Sequence, residues 1–251
     1  MAAPYVPLRI FSCYTMLEGA IEPKAIVPLG DCAAYIEFAD KLDLEVNEFV
    51  QQLAATVHSR ARPWMRDVVP ALGGLALHYD PDHPDVHGDA LEAAAILVQE
   101  CMKEEAAPEE APARTVEVPV CYEREFAPDI EVVASQVKLD VAEVARVHAA
   151  GEYRVLMIGF APGHAYMSGL DAKLAVPRRA TPRALVAPGA VAIANQQTIV
   201  YPYAISGGWS VIGRTPLAVF DAGREAPSLL APGDRVRFRA ITAEEFTALH
   251  K

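Results

Sequence analysis

The densest collection of groups able to do chemistry lies between Phe160 and Arg214. PRRATPR sets Arg178, Arg179 and Arg183 within six positions among prolines, and Arg214 follows in GRTP. Proline-stiffened loops hold a guanidinium at lower entropic cost, and the planar fork of arginine grips carboxylate or phosphate through paired hydrogen bonds. In a chain with 33 acidic and 22 basic residues, such a cluster reads as an anion pocket, whereas any one of these arginines taken singly reads first as a surface partner for an acid. Asn195, Gln196, Gln197 and Thr198 stand at a turn between two apolar runs. There they either offer amide donors and acceptors at a barrel mouth or serve ordinary turn chemistry. His164 and Tyr166 follow the Pro162-Gly163 turn and are candidates for a proton carrier and hydrogen-bond donors, with a solvated loop histidine as the plain alternative. Finally, YPYAISGGWSVIGRTPL places Gly207-Gly208 directly before Trp209. Two adjacent glycines are worth their conformational entropy only where φ > 0 or close backbone approach is required.

Familiar catalytic templates do not occur: there is no GxxxxGK(S/T) phosphate loop, GxGxxG turn, GxSxG elbow or HExxH helix. Nucleotide chemistry therefore needs an unfamiliar or shared site. HYDPDHPDVH gathers His78, His83 and His87 with three aspartates, but Pro81 and Pro84 break any helix that would align them, so a solvated loop is expected and no metal site. His148, one turn after Val144, reads as the edge of an apolar helix face. Four scattered cysteines (Cys13, Cys32, Cys101, Cys121) form no CxxC pair, which points to reduced thiols. A net charge of -11 argues against nucleic acid and anionic membrane as partners and leaves proteins or small molecules. With no basic and apolar leader and no long apolar window, a cytoplasmic protein is expected.

These groups need elements to hold them. AIVPLGDCAAYIEF has the pattern of a hairpin, and RDVVPALGGLALHYDP that of a second strand pair around Gly73-Gly74. Asp43 is placed to cap a helix whose stripe is Val46, Phe49, Val50, Leu53, Ala54 and Val57. Asp89 is placed to cap another, with Leu91, Ala94, Ala95, Val98, Cys101 and Met102 on its apolar side. Helices on one face of a small antiparallel sheet make an α+β domain, expected over residues 25–105 after an N-terminal extension of residues 1–24. EEAAPEEAPAR has acid, alanine and proline without a stripe, so an exposed linker and a domain boundary are expected at 106–114. Beyond it, DIEVVASQV and the Asp140-Glu143 capping-box stretch DVAEVARVHAA read as helices. YRVLMIGF, GAVAIA, TIVYP, WSVIG, LAVF and RVRFRA are each strand-length, so a mostly-β barrel or sandwich is expected over 115–251.

Several ordered blocks together resemble the KipI-like family: the GF-x-PG turn with its tyrosine, PRR-x-x-PR, the strand before Gln197-Thr198, GGW-x-x-IGRTP and PGD-x-V-x-F. This family includes the B subunit of prokaryotic ATP-dependent 5-oxoprolinase, proteins long labelled allophanate hydrolase subunit 1, and the first half of the carboxyltransferase domain of urea carboxylase. The resemblance implies an α+β domain followed by a cyclophilin-like β-barrel. It also implies a composite site completed by a KipA-like protein, joined in the 5-oxoprolinase by a third protein of the LamB/YcsF type. On that basis this chain is expected to help open 5-oxo-L-proline to L-glutamate, with ATP bound at a shared site, and to be inactive alone. The implied alternatives are carboxyl transfer from biotin carried on another protein, and inhibition of a sensor histidine kinase. The catalytic candidates are then Arg178, Arg183, Arg214, Tyr166 and His164. The substrate-binding or partner-facing candidates are Phe160, Pro162, Gly163, Arg179, Gln197, Thr198, Gly207, Gly208 and Trp209. The chain departs from the family pattern at His164, where an aromatic is usual, at Ile205-Ser206, where a proline is usual, and at Asn195-Gln196, where glycines are usual.

Overall fold

Residues 21–103 and 114–249 are described by the computed structural model. The chain divides into two units, Met1–Glu110 and Ala111–Lys251. Cys13, the expected extension up to residue 20 and the expected linker over 106–113 lie outside the described residues.

In the first unit, β1 (Ala25–Pro28) and β2 (Ala33–Glu37) form the first hairpin, and β3 (Met65–Pro70) and β4 (Gly74–Tyr79) the second. They join as one antiparallel sheet in the order β1-β2-β4-β3. Period-two alternation turns Ala34, Ile36, Leu75 and Leu77 into a core shared with two helices. In α1 (Leu44–Ser59) the Asp43 carboxylate accepts from the Glu45 and Val46 N–H groups. In α2 (Ala90–Met102) Asp89 accepts from the Leu91 N–H. Both caps satisfy donors that a helix start leaves orphaned. Asn47 is a buried polar residue within the apolar stripe of α1; its amide donates to the Ala71 and Leu72 carbonyls, both at 3.2 Å, and so ties the helix to the β3–β4 turn. HYDPDHPDVH runs from the end of β4 through a loop, and no group of three or more His, Cys, Asp or Glu residues suited to a metal occurs among the described residues.

The second unit is a closed barrel. Its strands are β5 (Thr115–Cys121), β6 (Glu152–Ile158), β7 (Ala165–Ser168), β9 (Ala190–Ala194), β10 (Gln197–Val200), β12 (Ser210–Arg214) and β13 (Arg235–Ile241). They run in the order β10-β7-β6-β13-β5-β12-β9, with β9 pairing back onto β10. Only β13 and β5 pair in parallel. Strand β5 escapes the apolar-run pattern because Glu117 and Pro119 interrupt it. The proline is tolerated because β5 meets β12 only at Cys121–Arg214, so the missing N–H breaks no ladder there. LAVF, expected as a strand, is a turn followed by a single bridge from Phe220 to Ser228. The Thr215 hydroxyl accepts from the Leu217 N–H and diverts the donor a strand would need.

Helices α3 (Ile130–Val137) and α4 (Val141–Ala150) contribute to the barrel core, and α5 (Ala243–Leu249) packs Phe246 near Cys121 and Ile241. Asp140 caps α4 at the Glu143 N–H, but the Glu143 side chain goes to Arg146 instead of returning to the cap, so only half of the capping box forms. A two-stranded ribbon, β8 (Arg183–Val186) with β11 (Ile205–Gly207), lies outside the barrel sheet. Every residue of β9 is buried because it has two covered faces. Val191 and Ile193 enter the barrel core, while Ala190, Ala192 and Ala194 belong to a separate cluster with Val186, Ile199, Tyr201 and Trp209. No helix among the described residues is long and apolar enough to cross a membrane.

Candidate functional site

That second cluster floors a cavity of about 260 Å³ lined by Phe160, His164, Tyr166, Arg178, Arg179, Pro182, Ile199, Tyr201, Ser206, Gly207, Gly208 and Trp209. The site therefore lies on the outer wall of the barrel and not at its mouth. Register decides which side chains reach it. Ile199 pairs with Tyr166 and Ala192 on the outward face, whereas Thr198 pairs with Met167 and Ile193 on the inward face.

Thr198, expected at the site beside Gln197, is consequently placed inside the barrel. Its hydroxyl lies 3.1 Å from His148 Nε2 and donates to the Ala192 carbonyl at 3.2 Å. Gln197 faces the other way, outside the cavity lining, with Nε2 buried and unpartnered among the described residues. Arg214 is also elsewhere: Nε donates to the Pro188 carbonyl and the guanidinium lies 5.8 Å from the Phe246 ring centre. Pro162 and Gly163 shape the turn that delivers His164 and do not line the cavity. Gly163 has φ +75°, and a Cβ there would strike Phe220.

The arginine cluster divides its labour around a residue that motif reading did not single out. Asp129, 3% exposed at the start of α3, accepts Nη1 and Nη2 of Arg183 at 2.6 and 2.7 Å, Nη1 of Arg179 at 2.7 Å and the Val211 N–H at 2.8 Å. It makes no side-chain cap to its own helix, since its oxygens are committed. Burial opposes its charge, but the Arg183 hydrogen bonds, the Val211 N–H and the two guanidiniums outweigh this and hold its carboxyl below the ordinary range. Arg183 is thereby a buttress and not a wall of the cavity. Arg179 serves both sides: its backbone N–H donates to the Gly208 carbonyl at 2.8 Å, fixing the Gly-Gly-Trp stretch, and its Nε lies buried beside the cavity without a partner among the described residues. Arg178 stacks 5.6 Å from the Trp209 ring centre and makes no ion pair among the described residues.

Aromatic rings complete the walls. His164 lies 4.8 Å from Tyr166, 5.4 Å from Phe160 and 5.6 Å from Tyr201, and Tyr166 lies 6.1 Å from Trp209. Far from being a solvated loop residue, His164 is 2% exposed, and burial lowers its pKa to about 4. Burial also raises the Tyr166 and Tyr201 hydroxyls, so both are neutral donors at ordinary pH. Phe160, at the rim, is 70% exposed with φ +70°. A bulky residue in the left-handed region is strained, and the surrounding turn must hold it there.

The Gly-Gly pair proves asymmetric. Neither glycine has a positive φ; Gly207 is required because a Cβ would stand 2.0 Å from the Tyr201 hydroxyl oxygen, whereas at Gly208 the nearest atom would be Pro182 Cγ at 3.6 Å. Tyr201, Ile199, Ser206, Pro182 and Asp129 are the residues missed by reading motifs alone. The inward–outward alternation of TIVY was the available signal for Ile199 and Tyr201; nothing local pointed to Asp129.

This arrangement can hold a small, flat, negatively charged molecule between aromatic faces and guanidinium groups. The family described as "Carboxyltransferase domain, subdomain C and D" matches residues 24–230. The chain is 38% identical over 228 residues to the B subunit of the 5-oxoprolinase of Bacillus subtilis (strain 168), covering 89% of this chain and 95% of that one. Among solved structures, TTHA0988 aligns with a TM-score of 0.73 at 34% identity, over 84% of this chain but only 40% of that longer one. The Kluyveromyces lactis urea carboxylase aligns with a TM-score of 0.70 at 19% identity, over 91% of this chain and 23% of that one, which shows a shared fold.

Proposed function

The chain belongs to the family of the carboxyltransferase domain, subdomains C and D, and on that premise we propose that it is the B subunit of an ATP-dependent 5-oxoprolinase. In this reading the expected 25–105 and 115–251 regions are separate domains of a cytoplasmic protein, the second being the cyclophilin-like barrel. The observation that carries the reading is a cavity with aromatic walls and two guanidiniums, Arg178 without an ion pair among the described residues and Arg179 with an open Nε, in a protein of net charge -11. Unpaired positive charge in so acidic a chain favours an anionic ligand. A cavity of about 260 Å³ lies just below the usual span of ligand pockets, about 300–1,000 Å³. It therefore suits a small lactam acid better than a whole nucleotide.

The lactam carbonyl resists water because it is resonance-stabilised, and ATP supplies the leaving group that makes ring opening favourable. This chain's part is to bind and orient. Arg178 and Arg179 hold the carboxylate, the aromatic faces exclude water, and Tyr166 and Tyr201 offer neutral hydroxyl donors toward oxygen that gains charge. The ATP site is then completed by a KipA-like protein, with a LamB/YcsF-like protein taking part. Phe160 is the contact for that closure, since its strained, exposed ring stands at the rim. Carboxyl transfer from biotin on another protein is the second reading, favoured by the family's description.

Mixing the chain with its KipA-like and LamB/YcsF-like partners should give 5-oxoproline-dependent ADP release and glutamate, with little from any one component by itself. An assembled complex that turns over no 5-oxoproline sinks the reading, and carboxylation supported by a biotin carboxylase in its place establishes the second.

A further inference from the structure

A buried hydrogen-bonding atom left without a partner forfeits its hydration with nothing in return, and native proteins leave few of them. His164 Nδ1 is one: it is buried, it belongs to a residue that lines the cavity, and it has no partner among the described residues. The ring cannot escape this by turning to solvent. The residue is 2% exposed; its backbone N–H donates to the Ala161 carbonyl at 3.0 Å, and its carbonyl accepts from the Gly159 N–H at 3.1 Å. Phe160 and Tyr201 stand edge-on to the imidazole, and Tyr166 lies tilted against it. Arg179 Nε, a second orphaned atom beside the same cavity, is a donor that asks for an oxygen. Two unsatisfied groups and an unpaired Arg178 at one small cavity define the ligand that would satisfy them.

We infer that His164 Nδ1 is a specificity-determining contact, hydrogen-bonding the amide edge of a small lactam or amide whose carboxylate is held by Arg178 and Arg179. The inference rests on the 5-oxoprolinase reading for the choice of ligand and adds the residue that distinguishes a lactam from any other ring-bearing acid. Neutrality is part of the device. With its pKa lowered to about 4 by burial, the ring is uncharged at neutral pH, so it recognises an amide where a third cation would recognise a second carboxylate.

The test uses the full chain alone, labelled with 15N-histidine, and two acids of nearly equal shape: 5-oxo-L-proline and cyclopentanecarboxylate, which keeps ring and carboxylate but has no amide. The native chain should bind 5-oxo-L-proline at least tenfold more tightly, with a shift of the His164 Nδ1 resonance that cyclopentanecarboxylate does not produce. His164→Phe should bind both acids within about twofold of each other while its thermal midpoint stays at or above the native value. Retention of the preference in His164→Phe overturns the inference. So does 5-oxo-L-proline binding without a Nδ1 shift, which would leave an ordered water as the partner, and so does failure of the native chain to bind either acid. The resonance shift is read on the native protein and decides the matter even if the variant does not fold. Turnover by the reconstituted complex with an unchanged KM in His164→Phe would defeat the inference and leave the 5-oxoprolinase reading standing. A lactam preference in binding with no turnover would do the reverse.

Discussion

The barrel buries two histidines, one on each face of its wall, and their ring nitrogens are engaged differently. His148, fully buried on the inward side, has both ring nitrogens engaged: the Tyr122 hydroxyl stands 2.7 Å from Nδ1 and the Thr198 hydroxyl 3.1 Å from Nε2. Since Thr198 donates onward to the Ala192 carbonyl, Nε2 carries the proton and Nδ1 accepts from Tyr122. His164, on the outward side, is almost as deeply buried yet keeps Nδ1 orphaned beside a cavity. A satisfied buried histidine is architecture. An unsatisfied one at a cavity is a site awaiting a partner, and burial alone does not separate the two.

Acid should act on both histidines in the same direction, and more strongly on His148. Burial lowers the folded pKa of His148 from 6.5 to about 3, so between those values the unfolded chain holds a proton that the folded chain lacks. Stability is therefore fullest above pH 6.5 and is lost as pH falls toward 3, by roughly 5 kcal/mol at about 1.4 kcal/mol per unit. Urea midpoints measured from pH 7.5 to 4 should fall steeply, and His148→Gln, which cannot titrate, should flatten that fall while lowering stability at neutral pH. An unchanged slope in the variant would place the acid sensitivity elsewhere and break the comparison.

Asp129 comes next in size, because it supports the outer wall from beneath. Replacing it with alanine leaves Arg179 and Arg183 without their shared anion and the Val211 N–H without an acceptor. Breaking a buried pair from one side costs about 3–5 kcal/mol, and the partial exposure of both arginines argues for the lower end, about 3 kcal/mol. Chemical denaturation would show that loss. Ligand binding should weaken as well, since Arg179 loses its anchor; destabilisation with full ligand affinity would mean that Arg179 is placed by its backbone bond to Gly208 alone.

Much of this was legible in the chain. Asp43 and Asp89 sit where caps belong, the stripes of α1 and α2 face the first sheet, and the apolar runs became barrel strands wherever the backbone donors were free to pair. PRRATPR and SGGW do converge on one cavity with Phe160, His164 and Tyr166. The rest depended on long-range pairing. Gln197 and Thr198 are neighbours in sequence but strand pleating sends them to opposite faces, and Arg214, in the same block as Trp209, is carried by β12 to the α5 end. Asp129 was invisible because its meaning lies in residues 50 to 82 positions away.

The smallest effect separates the two glycines before Trp209. Gly207→Ala drives a methyl to 2.0 Å from the Tyr201 hydroxyl oxygen, and Tyr201 is a buried wall of the cavity with little room to retreat. Overpacking of this kind costs about 1–3 kcal/mol and should displace the ring, so both stability and ligand affinity fall. Gly208→Ala meets only ordinary contact with Pro182, and its φ is compatible with any residue. Restricting the unfolded chain should then raise stability by about 0.4–1 kcal/mol, while the added methyl narrows the cavity that Gly208 lines and weakens binding. Thermal midpoints moving in opposite directions, with affinity lower in both, would assign Gly207 to the wall and Gly208 to the ligand. Midpoints falling together would mean that the pair is only a hinge under Trp209, and the outer wall would lose its claim to be shaped for a guest.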